Sequence, residues 1–224
     1  MTNREKNRST IFAVEGRPFY GTAIVLSIIT AIAQCAWWTL LLGGITAFIM
    51  YFFRNPERTV PEAAGAVISP ADGKIVQKRL VTEDEHIGGE AIKVSVFMNV
   101  FNVHVNRSPY KGIVKKVHYY PGKFINASLD KASEHNERNA VLIETEKGKK
   151  LLFVQIAGLV ARRIVCYVKE GDSLEKGERF GLIRFGSRVD VYFPPDSDIK
   201  VGIGDKVVAG ETILGVIKDG KKTV

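Results

Sequence analysis

Hydropathy divides the chain in two. From Pro18 to Phe53 no side chain carries a charge, and about 20 apolar residues suffice to cross a bilayer. Gln34 interrupts the run near its middle, and Gly43-Gly44 follows Trp37-Trp38. The pattern predicts two short helices folded as a transmembrane hairpin, or one long tilted helix. The run is too long for a signal peptide and lacks the small-residue cleavage pattern. Arg4, Lys6, Arg8 and Arg17 precede it, and Arg54 and Arg58 follow. Positive charge on both flanks favours the hairpin, with both ends on the cytoplasmic side. Residues 1–17 therefore read as a basic N-terminal segment and residues 18–53 as a membrane anchor. A buried helical pair in a soluble core is the competing reading, and so long a charge-free run is rare there.

After Arg58 the periodicity changes. Runs of about four to seven strand-forming residues alternate with Gly, Pro, Asn and Asp. Examples are Gly65–Ile68, Ile92–Phe97, Ile113–Val117, Val141–Thr145 and Leu151–Gln155. Residues 54–224 are expected to form a mostly β domain with few short helices. One repeat is visible: Val168 to Glu178 and Val201 to Glu211 both read V-x-x-G-D-x-[LV]-x-x-G-E. It looks like the turn unit of lipoyl- and biotinyl-type barrel-sandwich domains, and Ser69-Pro70-Ala71-Asp72-Gly73-Lys74-Ile75 resembles an entry strand of that architecture. A membrane-anchored carrier or adaptor without chemistry of its own is one reading of such a fold. A carrier needs a modifiable Lys at an exposed hairpin tip. No Lys sits in that setting, and Phe185-Gly186-Ser187-Arg188 occupies the place between the two repeats.

Composition narrows the partners. A chain of 224 residues suits one globular domain with an appendage, and a net charge of +8 points to an anionic partner. There is no RNP1 string, no zinc-finger spacing and no Lys/Arg block longer than three. Membrane phosphate fits better than nucleic acid. Cys35 and Cys166 lie far apart and indicate no disulfide framework, which is compatible with a reducing compartment. Neither a metal-ligand spacing nor a Gly-rich nucleotide loop before a helix is present, so no metal is expected.

The candidate chemistry lies in Arg184 to Val191, which reads as strand, tight turn, strand. A Ser that follows a Gly in a strained turn can attack the carbonyl preceding it, because glycine admits the unusual φ/ψ and the close approach. Gly-Ser is also a common plain turn. The longer strings separate the two. RFGSRVDVYFP, SPADGKI and FNVHVNRSP, with an apolar anchor at the other end, resemble the short, type II form of phosphatidylserine decarboxylase over roughly residues 50–224. The resemblance implies a chain that cuts itself at Gly186-Ser187 into residues 1–186 (β chain) and 187–224 (α chain). Ser187 is then the nucleophile and becomes a covalent pyruvoyl cofactor, which forms a Schiff base with the substrate amine. The product is a heterodimer of the two chains, with a dimer of these left open. The substrate is phosphatidylserine or the ether-linked archaetidylserine, which share a serine head group. The expected location is the cell membrane, with the catalytic domain on the cytoplasmic face.

The same resemblance assigns Asp72 as the family aspartate that orients the base, and His104 as a family histidine, followed by Pro109 as expected. Longer members carry a second His three residues on, where this chain has Arg107. Either His104 serves alone as base and as acid for the lyase step, or Arg107 holds the substrate phosphate or carboxylate. Without the resemblance, Asp72 reads equally as a turn residue and His104 as a core histidine. Asn136-Glu137-Arg138 resembles a family motif near the site, which makes Glu137 and Arg138 candidates for substrate binding. His86 reads as solvated in a polar loop, and His118 as a strand-end residue that lines a pocket or packs. Arg162, Arg163, Lys111, Lys115 and Lys116 contact lipid phosphates or form a solvated face. Phe97, Met98, Val100 and Phe101 form a strand core or a lip that meets the bilayer.

Overall fold

The structure, a computed structural model, describes residues 10–127, 135–158, 163–184 and 186–218. Arg4, Lys6, Arg8, Arg162 and Phe185 lie outside the described residues. The chain forms two compact units, Met1–Glu57 and Arg58–Val224.

In the first unit, α1 (Arg17–Ile32) and α2 (Ala36–Phe52) fold back on each other. Pro18 sits in the first turn of α1, where its missing N–H costs nothing. The link Ala33–Cys35 turns through Gln34 at φ +55. Hydroxyl pairs join the two arms, Thr39 to Thr30 at 3.1 Å and Ser27 to Thr46 at 3.4 Å. One expectation is corrected here. Among the described residues no helix is long and apolar enough to cross a membrane. The arms have 16 and 17 residues and rise about 24–26 Å, against about 30 Å of hydrocarbon. The break at Gln34 divides a long apolar run into two arms, each too short to span. The exterior of the hairpin stays apolar, with Trp37 85% and Trp38 61% exposed near its tip.

The second unit is mostly β. Its strands are β1 (Ala66–Ile68), β2 (Gly73–Glu83), β3 (Gly89–Met98), β4 (Val105–Arg107), β5 (Gly112–Tyr120), β6 (Arg138–Glu144) and β7 (Lys150–Ala157). They continue as β8 (Ile164–Cys166), β9 (Ser173–Leu174), β10 (Arg179–Ile183), β11 (Ser187–Phe193), β12 (Asp198–Ile199), β13 (Lys206–Val207) and β14 (Ile213–Val216). Eight strands make one curled antiparallel sheet in the order β13-β2-β3-β11-β7-β6-β5-β9. Two smaller sheets, β1-β14-β12 and β4-β10-β8, complete the unit. Side chains alternate between faces along a strand. Val94, Val96, Phe153, Val189 and Val191 fill the main core on one face, while Arg188, Asp190 and Tyr192 fall on the other.

The repeat read in the sequence is present as matched turns. Gly171 and Gly204 have φ of 88 and 100, and Gly177 and Gly210 have φ of 80 and 81, the left-handed region that favours glycine. Asp172 accepts from the Lys169 N–H at 3.1 Å, and Asp205 from the Gly202 N–H at 2.8 Å. The two units place β9 and β13 at opposite ends of the large sheet, with Leu174 and Val207 buried.

A second repeat escaped the sequence reading. Ser69-Pro70-x-x-Gly73 recurs as Ser108-Pro109-x-x-Gly112. The Ile68 N–H donates to the Pro109 carbonyl and the Arg107 N–H to the Pro70 carbonyl, both at 2.9 Å. Ser69 Oγ reaches the Ala71 carbonyl and Ser108 Oγ the Tyr110 carbonyl, both at 2.7 Å. Matching bulges follow in β2 and β5. This exchange makes the turn carrying Asp72 a hydrogen-bonded neighbour of the strand that follows His104.

Candidate active site

Ser187 opens β11, an inner strand of the large sheet, and pairs with Met98 of β3 on one side and Ala157 of β7 on the other. The preceding Gly186 has φ +59, a conformation that suits glycine. Gly158 packs directly on that turn: a Cβ built there would lie 2.1 Å from the Gly186 carbonyl oxygen. Ser187 is wholly buried. Its Oγ donates to Met98 Sδ at 4.0 Å, and a thioether is a weak acceptor. The hydroxyl is therefore shielded from water and bonded only weakly, in the residue that follows the Gly186 carbonyl.

His104 is buried, with Nδ1 2.9 Å from the Asn102 carbonyl. A carbonyl only accepts, so Nδ1 carries the proton and Nε2 the lone pair, the tautomer a base needs. The His104 carbonyl accepts from the Ile183 N–H at 3.3 Å, which ties this segment to the chain leading into the Gly186 turn. The Asp72 carboxylate goes elsewhere than expected. It takes Arg58 Nη2 at 2.9 and 3.1 Å and the Ala209 N–H at 2.8 Å, and makes no hydrogen bond to His104. The side chains of Arg58 and Asp72 are only 15% and 14% exposed.

Arg107 is buried, with Nη1 on the Gly177 carbonyl at 2.9 Å. Its stem lies 2.9 Å from where a Gly210 Cβ would stand. Glu137 and Arg138 part company. The Ala157 N–H donates to the Glu137 carbonyl at 2.9 Å, so Met98, Ser187, Ala157 and Glu137 form one row across the sheet. Arg138 belongs to the row of Ile156 and Arg188, on the opposite face. Lys111 and Lys115 are half exposed and pair with Glu146 and Glu144 at 2.8 and 2.9 Å, as a solvated face does. Met98 is core, whereas Phe101 is 62% exposed.

The chain matches the family model "Phosphatidylserine decarboxylase" over residues 45–215. A phosphatidylserine decarboxylase proenzyme of Desulfotalea psychrophila is 52% identical over 205 residues, covering 92% of this chain and 96% of that protein. One from Cupriavidus taiwanensis is 54% identical, covering 91% and 94%. Another from Geobacter metallireducens is 48% identical, covering 95% and 99%. The chain belongs to the phosphatidylserine decarboxylase family.

In this family member the face opposite Ser187 holds groups the sequence reading missed. Arg188 and Asp190 are wholly buried and joined, Nε to Oδ1 at 2.8 Å. Lys93 Nζ reaches Asp190 Oδ2 at 3.1 Å, and Arg188 Nη1 donates to the Ala127 carbonyl at 2.9 Å. Burial pulls Lys93 below the usual lysine range despite Asp190. The charge-valine alternation Arg188-Val189-Asp190-Val191 ordinarily marks a strand with one solvated face, which is why the burial of both charges left no signal in the sequence. His86 is not solvated: its side chain is 4% exposed, with Nε2 2.9 Å from the Tyr120 hydroxyl. Burial lowers its pKa, against the pull of Glu83 and Glu85. His118 stacks on the Tyr120 ring at 4.2 Å, and the Arg138 guanidinium lies over that ring at 4.1 Å.

Proposed function

We propose that this chain is a proenzyme that cuts itself between Gly186 and Ser187 and then converts phosphatidylserine to phosphatidylethanolamine, releasing CO2. The observation that carries the reading is the buried Ser187 hydroxyl, weakly bonded to a thioether and next in sequence to the Gly186 carbonyl against which Gly158 packs. Ser187 Oγ attacks the Gly186 carbonyl carbon. His104 takes the Oγ proton on Nε2 and returns it to the Ser187 nitrogen as the Gly186 C–N bond breaks. The Ser187 Cα proton is then lost and the Cβ–Oγ bond breaks, leaving Oγ on Gly186 as a carboxylate oxygen. Water adds at the Ser187 Cα and ammonia leaves, so residue 187 ends as a pyruvoyl group. That group supplies the electron sink that loss of CO2 from an amino acid requires.

The surroundings fit such a group. Residue 187 is enclosed and flanked by Met98 and Ala157, so water has little access to a reactive carbonyl. The two chains remain together after cutting because β11 is paired along its length with β3 and β7. His104 holds the proton delivered to carbon after CO2 leaves. Asp72, fixed by Arg58, supports the neighbouring turn. The apolar hairpin and its flanking arginines hold the protein at the cell membrane with the catalytic domain on the cytoplasmic face, where the basic surface meets lipid phosphate. A match to decarboxylase proenzymes along nearly the whole chain favours this reading over a carrier or adaptor.

The test is CO2 release from phosphatidylserine in mixed micelles, with the ether-linked serine lipid run in parallel. The wild-type chain turns over the diacyl lipid and Ser187→Ala, uncut, does not. Turnover by uncut Ser187→Ala at the wild-type rate contradicts the reading.

A further inference from the structure

Three buried amide side chains form a line that ends at Ser187. Asn139 Nδ2 donates to Gln155 Oε1 at 3.2 Å, and Gln155 Nε2 donates to Asn106 Oδ1 at 2.9 Å. Asn106 Nδ2 then donates to Met98 Sδ at 3.7 Å. Ser187 Oγ donates to that same sulfur. Asn106 and Gln155 are wholly buried and Asn139 nearly so. Gly181 closes the line from the side, since a Cβ there would lie 2.7 Å from Gln155 Nε2.

The amides run in one direction, each giving an N–H to the next. Gln155 gives its N–H to Asn106 Oδ1, so a flip of Asn106 would set N–H against N–H. Its Nδ2 is therefore held toward Met98 and Ser187. Buried polar groups are normally satisfied by good acceptors, yet this donor is spent on a thioether, a weak one. A strong acceptor appears at this place only during self-cleavage. When the Cβ–Oγ bond breaks, its electron pair stays on the Ser187 oxygen, which becomes a carboxylate oxygen of Gly186. Methionine is flexible enough to move aside, and the Asn106 donor already shares a contact atom with that oxygen.

We propose that Asn106 is the hydrogen-bond donor to the departing Ser187 oxygen in self-cleavage, with Gln155 and Asn139 as the residues that position it. The assignment rests on the self-cleavage reading above and adds a group to it. Donors aimed at developing charge in a buried site are worth about 10²–10³ in rate.

The experiment uses the full chain made by cell-free synthesis in detergent, so that the uncut form is the starting point, with cleavage followed by mass spectrometry. Asn106→Leu should slow release of residues 187–224 by about 10²-fold. The ester between Gly186 and Ser187 Oγ should accumulate, so that added hydroxylamine splits the chain and frees a piece beginning with an intact Ser187. Asn106→Asp keeps the bond from Gln155 and donates only while protonated. Its cleavage rate relative to wild type should rise as pH is lowered from about 8 to about 5, which a packing role would not produce. The Asp variant has nearly the same size and decides the matter if Asn106→Leu fails to fold. Wild-type cleavage by Asn106→Leu, or a pH-independent ratio for a slow Asn106→Asp, overturns the assignment of Asn106 alone. A wild-type chain that never yields a piece beginning at residue 187 takes down both the assignment and the reading beneath it.

Discussion

Gly158 lies against Gly186 so closely that a single added carbon would sit 2.1 Å from the Gly186 carbonyl oxygen and 2.9 Å from its carbon. Contacts of that length do not exist between nonbonded atoms, so the scissile carbonyl keeps its place only because residue 158 has no side chain. Gly158→Ala must push the Gly186 turn away from Ser187 Oγ. The unit still folds, at a cost of about 1–3 kcal/mol for the displaced backbone, but cutting slows at least about 10-fold, because a small misplacement of reacting atoms is expensive. Gel analysis of the purified chain checks this, and wild-type processing in Gly158→Ala would refute it.

The Arg58–Asp72 pair acts as one element. Breaking a buried pair from one side costs about 3–5 kcal/mol, less at this partial exposure. Asp72→Asn and Arg58→Leu are expected to slow cutting by similar factors, and the double variant no further, as groups that act as a unit are not additive. Rates for the two single variants and the double variant measure it. Independent, multiplying losses would show that Asp72 has a role apart from Arg58.

His104→Ala removes the lone pair at Nε2, and loss of a general base costs about 10²–10⁴-fold. The expected outcome is an uncut but folded chain on the time scale in which wild type is fully processed, with thermal unfolding lowered by the cavity left at a buried site. Cutting at the wild-type rate would confine His104 to packing.

How much of this was legible follows from where each signal lies. Alternating strands and the V-x-x-G-D units are local patterns, and they place the β domain and its matched turns correctly. The strand on either side of Gly186 is legible for the same reason. The break at Gln34 and the two helical arms beside it were legible too; that each arm falls short of crossing a membrane was not, because a turn or so of helix at either end decides it. The partners of Asp72 were hidden too. Arg58 lies 14 residues from it and Ala209 137, and no local pattern marks either as its partner. The Ser-Pro-x-x-Gly repeat, whose two turns exchange hydrogen bonds, was in view, but its two copies differ at Asp72 and Lys111, which masks it. Asn106 lies inside the FNVHVNRSP string, yet only the line through Gln155 gives it a direction.

The buried charges on the far face carry stability. Asp190→Asn leaves Arg188 and Lys93 without their shared carboxylate, and removal of one partner from a buried set costs about 3–5 kcal/mol. Urea unfolding should show that loss. A change below about 1 kcal/mol would mean that the two cations find other acceptors.

The pH dependence of stability has a sign fixed by His86. Burial holds its pKa below the ordinary 6.5, so the folded protein binds this proton less readily than the unfolded chain. Its contribution is complete above pH 6.5 and is lost as pH falls below that value. His86→Gln should flatten the decline of Tm between about pH 6.5 and 5 relative to wild type. An unchanged slope would assign the decline to other groups.

The central claim is that Ser187 is consumed to make the reactive group, and the mass of the small chain tests it most directly. Purified wild-type protein, denatured and weighed, is predicted to give residues 1–186 with an unmodified carboxylate. It should also give residues 187–224 lighter by one ammonia than the same peptide with an N-terminal serine, and resistant to Edman degradation. A single full-length chain of 224 residues that still releases CO2 from phosphatidylserine would contradict the account.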